Sequence, residues 1–167
     1  MTSPPVTIRP ITAQDIPALA RLMAETPLWQ RYGVTEAGAR RRFQAGLAQG
    51  ATVLVAQVDE ERAGFLWYAA RGAFLRSGYV VLLGVGERWR GQGVGRALMA
   101  QGEAAMSQEV GSVFLLVSHF NQAAQTFYRR LGYRQVGRIP GYLLPDVDEL
   151  LFFKRLRGNN PDNPGST

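Results

Sequence analysis

The chain has 167 residues, 46% of them hydrophobic and none of them cysteine, a length that suits one compact domain with its own core. The missing cysteine excludes disulfides, thiolate metal sites and a cysteine nucleophile, and fits a reducing cytoplasm. A formal charge of +6, carried mostly by arginine, favours bidentate contacts to phosphate or carboxylate, while no apolar run approaches the roughly 18 residues of a membrane span.

The opening "MTSPPVTIRP" lacks the charged-then-apolar pattern of a secretory signal, and its first few residues are expected to fray. "VTIRPIT", Val6 to Thr12, reads as a strand. Thr12 is a plausible N-cap for a helix reaching about Glu25, with Ile16, Leu19, Ala20 and Met23 on one face. "ETPLWQRYG" links it to a second helix, "TEAGARRRFQAGLAQG", capped by Thr35 and stopped near Gly50. On that helix Phe43 and Leu47 point inward at i, i+4 spacing, and the arginines of "RRRF" take the solvated faces. "ATVLVAQVD" and "AGFLWYAAR" read as strands around the turn "DEER". The unbroken apolar run "SGYVVLLGVG" fits a strand buried on both faces. A glycine-rich loop and a helix to about Ser107 follow. Then come the strand "SVFLLVS", a helix from about Gln122 to Leu131, and the strands "YRQVGRIP" and "ELLFFKRL" with "GYLLPDVDE" linking them. The order β-α-α-β-β-β-α-β-α-β-β predicts a mixed α/β (α+β) domain. Residues 1–157 are expected to form this single domain. "GNNPDNPGST", residues 158–167, reads as a disordered polar tail.

"RWRGQGVGRALM", Arg88 to Met99, joins the apolar strand to a helix starting near Gly93. A glycine-rich turn into a helix N-terminus offers free backbone N–H groups and the positive end of the dipole, which is a phosphate site. The P-loop motif fails, because Arg96 and Ala97 follow Gly95 where Lys and Ser or Thr are needed. The dinucleotide fingerprint fails too, because Arg96 stands where its third glycine belongs. The spacing that fits is Arg90-x-x-Gly93-x-Gly95. For the loop in isolation, a glycine-rich turn with no ligand stays open.

A second segment, "NQAAQTFYRRLGY", runs from Asn121 to Tyr133. Together the two segments resemble the acetyl-CoA-binding core of the GNAT N-acetyltransferase superfamily. That family shows a hydrophobic strand, then Arg/Gln-x-x-Gly-x-Gly/Ala opening a helix, and later Asn-x-x-Ala, Tyr and Gly-Phe or Gly-Tyr. Here these are Arg90, Gly93 and Gly95, then Asn121, Ala124, Tyr128, Gly132 and Tyr133. The element order matches as well, so the resemblance covers about residues 5–157. It implies a mixed, mostly antiparallel central sheet of six to seven strands flanked by about four helices.

The resemblance also implies roles. The coenzyme A pyrophosphate would take the N–H groups of Gly91, Gln92, Gly93, Val94, Gly95 and Arg96, with Arg90 and Arg96 adding charge and Gly93 and Gly95 keeping Cβ atoms away from the phosphates. Arg88 reads better as a solvated surface residue. The pantetheine arm would pair with the backbone of Leu83, Gly84 and Val85, where a backbone N–H would also stabilise the oxyanion. Asn121 and Ala124 would contact pantetheine, although Asn121 can equally cap the helix it begins. Tyr128 matches the tyrosine that protonates the leaving thiolate, or else packs as a helix aromatic beside Phe127. The base is open. "YVVLLGV" holds no acid, which leaves His119, Glu87, the acids of the late loop or a water relay. Deprotonating a lysine of pKa near 10.4 at pH 7 costs about 4.6 kcal/mol, and an α-amine near 7.8 about 1.1. Trp29, Tyr32 and Tyr142 could pack on the acceptor, and Asp146, Asp148 and Glu149 could attract a cationic amine, with ordinary loop packing as the alternative.

The expectation is thus an N-acetyltransferase moving acetyl from acetyl-CoA to a primary amine, on a small molecule or peptide, by direct transfer in a ternary complex. No metal, nucleic acid or membrane partner is expected, the location is cytoplasmic, and the state is a monomer or homodimer. Alternatives are a longer acyl group or a different acceptor atom, and a non-catalytic acyl-CoA-binding or regulatory domain. A basic nucleic-acid binder would explain the charge but neither motif.

Overall fold

The computed structural model describes residues 5–157, so the expected tail and the first four residues lie outside it. Seven strands form one sheet: β1 (Val6–Pro10), β2 (Thr52–Val58), β3 (Glu61–Ala73), β4 (Ser77–Val85), β5 (Ser112–Ser118), β6 (Arg134–Leu144) and β7 (Val147–Arg155), ordered β1-β2-β3-β4-β5-β7-β6. The β4–β5 pair is parallel, whereas β1–β2, β2–β3, β5–β7 and β6–β7 are antiparallel. Five α-helices accompany them among the described residues: α1 (Ile16–Glu25), α2 (Pro27–Arg31), α3 (Glu36–Ala48), α4 (Val94–Met106) and α5 (Gln122–Arg130). The mixed, mostly antiparallel sheet of the sequence reading is therefore the observed one.

The chain divides into two compact units. One holds residues up to Tyr68 with Val81–Gly102, and the other Ala69–Val80 with Glu103 onward. In the first unit the apolar face of α1 (Ile16, Leu19, Ala20 and Met23) is buried with Phe43 of α3 and Val53, Val55 and Phe65 of the sheet, as amphipathic spacing demands. Phe43 meets Phe65 edge-on at 5.1 Å. The Thr35 hydroxyl accepts from Gly38 N–H at 3.1 Å and caps α3.

Asp15 is fully buried and compensated. Its carboxylate accepts from Arg9 at 2.7 and 2.8 Å, from Arg62 at 2.9 Å, and from the Thr12 backbone at 2.8 Å. Burial alone would raise this carboxyl, but the hydrogen bonds from Arg9, Thr12 and Arg62 outweigh it and hold Asp15 well below the usual carboxylate range.

In the second unit Val113, Leu115 and Val117 of β5 are buried, as is Phe152 of β7. Met106 lies against Gly78, where a Cβ would meet its sulfur at 2.5 Å. The Tyr133 hydroxyl donates to Glu103 at 2.8 Å, and the same carboxylate takes Lys154 Nζ at 2.6 Å. The hairpin tip between β3 and β4 carries Phe74 and Leu75 in left-handed conformations, φ 54° and 56°, and both are largely exposed.

Several local expectations are corrected. The link after α1 contains the short helix α2, started by Pro27, whose fixed φ suits a first helical position. Thr12 is an N-cap, but of a 3-10 turn, Ala13–Asp15, that precedes α1; its backbone N–H and its hydroxyl both donate to the Asp15 carboxylate, at 2.8 and 3.0 Å. β4 is not buried on both faces. Ser77, Gly78, Val80 and Gly84 are buried, while Val81, Leu82, Leu83 and Val85 are half-buried. The presumed link Gly141–Glu149 is mostly strand, with only Pro145 and Asp146 turning between β6 and β7.

Candidate active site

The glycine loop belongs to the first unit. Gly91 and Gly93 take φ of 73° and 85°, a left-handed region that costs other L-residues about 1–2 kcal/mol. A Cβ at either position would meet no protein atom within 4 Å. Glycine is thus demanded by backbone turning, and the protein leaves the loop's outer side unfilled. Val94, 1% exposed, anchors the first residue of α4 in the core. The helical ladder starts with Ala97 N–H donating to Gly93 O at 2.9 Å. The N–H groups of Val94, Gly95 and Arg96 therefore have no acceptor within the helix, and the dipole makes them an anion site. Gln92 ties the loop back by donating to Arg88 O at 2.6 Å. Arg90 Nε reaches Val85 O at 3.4 Å, and Arg96 is exposed. Arg88 is spent elsewhere: it pairs with Glu61 through two contacts of 2.8 Å and lies over Trp89.

Upstream of the loop, Gly84 gives the strand its shape. A Cβ there would stand 2.5 Å from Phe65 and 2.6 Å from Trp29. These rings stack with centroids 5.8 Å apart, so Trp29, considered above as an acceptor contact, is a core residue packed on β4. Tyr32 is half-buried just after α2.

The second unit holds the other motif. Asn121 caps α5, its side chain accepting from Ala124 N–H at 3.1 Å. At the far end Gly132, φ 90°, closes the helix. Tyr133 N–H donates to Tyr128 O at 3.0 Å, the bond of a Schellman cap, whose usual apolar contact is made by the rings of Tyr128 and Tyr133, 5.7 Å apart. The spacing of Tyr128, Gly132 and Tyr133 therefore has a folding reason of its own. The Tyr128 ring is buried, with Phe127 5.1 Å away. Burial pushes its phenol far above the ordinary tyrosine value, so at working pH it holds a proton to give.

His119 follows β5 directly and has a fixed role. Its Nδ1 accepts from Asp148 N–H at 3.1 Å, and its N–H donates to Asp148 O at 2.9 Å. A neutral ring accepting at Nδ1 carries its proton on Nε2. Asp148 is committed as well: its carboxylate accepts from Gly141 N–H at 3.0 Å and from Arg138. These hydrogen bonds, led by the Gly141 amide, lower its carboxyl below the ordinary value. Glu149 is buried, Asp146 exposed at the turn, and Tyr142 exposed on β6. Glu87 is exposed in a 3-10 turn of the first unit. Sequence reasoning missed Gln125, which is buried and donates to His119 O at 2.9 Å. Its position one turn after Asn121 was the available signal. The Asp148 clamp carried no linear signal, since its partners lie 29, 10 and 7 residues away.

Comparison with known proteins follows the same lines. The model of the acetyltransferase (GNAT) family matches residues 17–133. The blasticidin-S acetyltransferase of Streptomyces morookaense is 37% identical over 78 residues, which is 47% of this chain and 57% of that protein. The chain thus spans just over half the length of this curated relative. Ard1 from Thermoplasma volcanium superposes with a TM-score of 0.75 at 25% identity, covering 91% of this chain and 98% of its own. The yncA acetyltransferase structure from Salmonella typhimurium, solved with its cofactor acetyl-CoA, gives a TM-score of 0.71 at 16% identity, covering 94% and 98%. Family match and fold agree with the two motifs: the chain belongs to the acetyltransferase (GNAT) family.

Proposed function

We propose that this protein is an N-acetyltransferase that moves acetyl from acetyl-CoA to a primary amine by direct transfer in a ternary complex, with residues 1–157 as its catalytic domain. The observation that carries the reading is the glycine loop: two left-handed glycines with open space beyond them, leading into a helix whose first N–H groups lack internal acceptors. That arrangement suits the coenzyme A pyrophosphate, with Arg90 and Arg96 adding charge. The backbone of Leu83, Gly84 and Val85 would pair with pantetheine and supply the oxyanion donor. Asn121 and Ala124 would meet the pantetheine region, Asn121 while capping α5. The amine nitrogen attacks the thioester carbonyl, the C–S bond breaks, and Tyr128 delivers a proton to the departing sulfur.

The base is best assigned to water. His119 is held through Nδ1, and its Nε2 bears the proton of the neutral ring. An acceptor that reaches its neutral form easily is therefore favoured, an α-amine or a small amine of lowered pKa over a lysine side chain, by roughly 3.5 kcal/mol. The acceptor is a small molecule or a peptide, the protein works in the cytoplasm as a monomer or homodimer, and no metal takes part. The name of the curated relative makes blasticidin S one probe to include.

The test is a screen of amines with acetyl-CoA, read by thiol release, alongside calorimetry with coenzyme A. Coenzyme A binding with turnover of α-amines or small amines is expected. Absence of coenzyme A binding would overturn the proposal, and turnover confined to lysine side chains would reverse the acceptor assignment.

A further inference from the structure

The strand β5 ends at Ser118, and only His119, Phe120 and Asn121 separate it from α5. This turn is tied on two sides. Towards the sheet, His119 N–H and Nδ1 both pair with Asp148 of β7. Towards the helix stands Gln125. Its Nε2 donates to His119 O at 2.9 Å and to Ser118 O at 3.5 Å, and its Oε1 accepts from Arg129 at 3.5 Å. Two carbonyls at one end of the amide and a cation at the other fix which way it points.

The buried residues of α5 are Gln125 and Tyr128. With Asn121 they are spaced i, i+4, i+7, so the three share one helix face. An apolar side chain would fill such a stripe with no polar group to satisfy. Gln125 is 4% exposed, and a buried amide costs stability unless its hydrogen bonds are made. Its donor bonds join the helix to the strand end instead of serving the helix itself. The Asn121 cap holds only the first turn of α5, and the ring contacts of Tyr128 are non-directional. Gln125 adds directional bonds between the two and so sets the angle of α5 on β5.

We propose that Gln125 is a positioning residue for acetyl transfer, acting through Asn121 and Tyr128, which stand four residues before and three after it. The proposal rests on the N-acetyltransferase reading above, in which those two residues meet pantetheine and the departing sulfur. A displacement on the order of 1 Å at such a group can slow chemistry about 10²-fold.

The experiment uses the full chain, acetyl-CoA, and the amine turned over fastest in the screen above, with alaninamide, phenethylamine and blasticidin S among those tried. Gln125→Met keeps length and removes the donor. Single-turnover thiol release per coenzyme A site should fall about 10–100-fold, while coenzyme A affinity and KM for the amine stay within about twofold. Counting sites by calorimetry separates this from partial unfolding, which lowers the number of sites and leaves the rate per site unchanged. Gln125→Glu supplies a donor only while its carboxyl is protonated. Its rate relative to wild type should therefore climb as the pH is lowered from about 8 to about 6, since burial raises a carboxyl, and the Gln125→Met ratio should stay flat. A Gln125→Met rate per site within about threefold of wild type, equal losses in rate and coenzyme A affinity, or a Gln125→Glu ratio that ignores pH would each overturn the positioning role; the last reading needs only Gln125→Glu, should Gln125→Met fail to fold. A wild type that binds coenzyme A yet releases no thiol with any amine refutes the N-acetyltransferase reading, and the proposal with it.

Discussion

Replacing Tyr128 by phenylalanine removes one oxygen and separates chemistry from folding. The ring is 8% exposed, and its contacts are apolar, with Phe127 and Tyr133 at 5.1 and 5.7 Å. Phenylalanine keeps all of them. No side-chain hydrogen bond of the hydroxyl stands among the contacts that fix the ring, so the substitution tests the proton and leaves the packing. Stability should therefore change by less than about 0.5 kcal/mol, a shift in Tm of about 2 °C or less for a domain of this size. Coenzyme A affinity, assigned to the loop and to β4, should not move. The chemical step should slow by about 10²–10⁴-fold, or about 2.7–5.4 kcal/mol, because the thiolate would leave without a positioned proton. Since burial raises the phenol, no alkaline limb from Tyr128 should enter the kcat profile below about pH 10. Calorimetry, thermal melts and single-turnover thiol release on one variant decide the matter. A variant with intact affinity and a chemical step within about threefold of wild type would remove Tyr128 from the mechanism, and a loss of affinity would assign the hydroxyl to binding.

Gly93→Asp should weaken coenzyme A binding at least about tenfold by calorimetry, since it adds negative charge at an anion site and a left-handed strain of about 1–2 kcal/mol; undiminished affinity in a folded variant would sink the phosphate cradle. Gly84→Ala forces a Cβ against Phe65 and Trp29 and should cost about 1–3 kcal/mol in denaturant unfolding. Asp15 has a folded-state pKa held below its unfolded value, so its contribution is present above about pH 4 and lost as the pH falls below that. Asp15→Asn should lower stability near neutrality by about 3–5 kcal/mol, less whatever the partly exposed Arg9 and Arg62 regain by rehydration, and should flatten the acid limb of the stability profile; an unchanged acid limb would show that other carboxylates set it.

The parts legible in the sequence were those written at short range. The period of Ile16, Leu19, Ala20 and Met23 fixed the buried face of α1. The spacing of Gly91, Gly93 and Gly95 placed the loop at a helix start, and Asn121 announced a cap. What stayed hidden depends on partners far apart in the chain. Trp29 looked like a loop aromatic because nothing local says that Phe65 and Gly84 receive it. Tyr142 and Leu143 looked like a link because the register of β6 on β7 resumes only at Leu144. His119 stood among the candidate bases because nothing near it in the chain announces that the Asp148 amide, 29 residues later, occupies Nδ1. The half-burial of Val81, Leu82, Leu83 and Val85 in β4 escaped a reading based on hydropathy, since both of its faces carry apolar residues.

The cluster of Glu103, Tyr133 and Lys154 has a practical meaning beyond packing. Lys154 is the single lysine among the 167 residues. Its amine lies 2.6 Å from Glu103 and 5.4 Å from the Tyr133 ring, with the side chain 24% exposed. Amine-directed reagents, acetyl-CoA included, thus meet almost no lysine surface on this protein. Acetyl incorporation into an added amine can be read against a background to which lysine self-modification contributes little. For the same reason, immobilisation or dye labelling through lysine will be inefficient, and an engineered surface cysteine would be a unique handle, since the chain has none of its own.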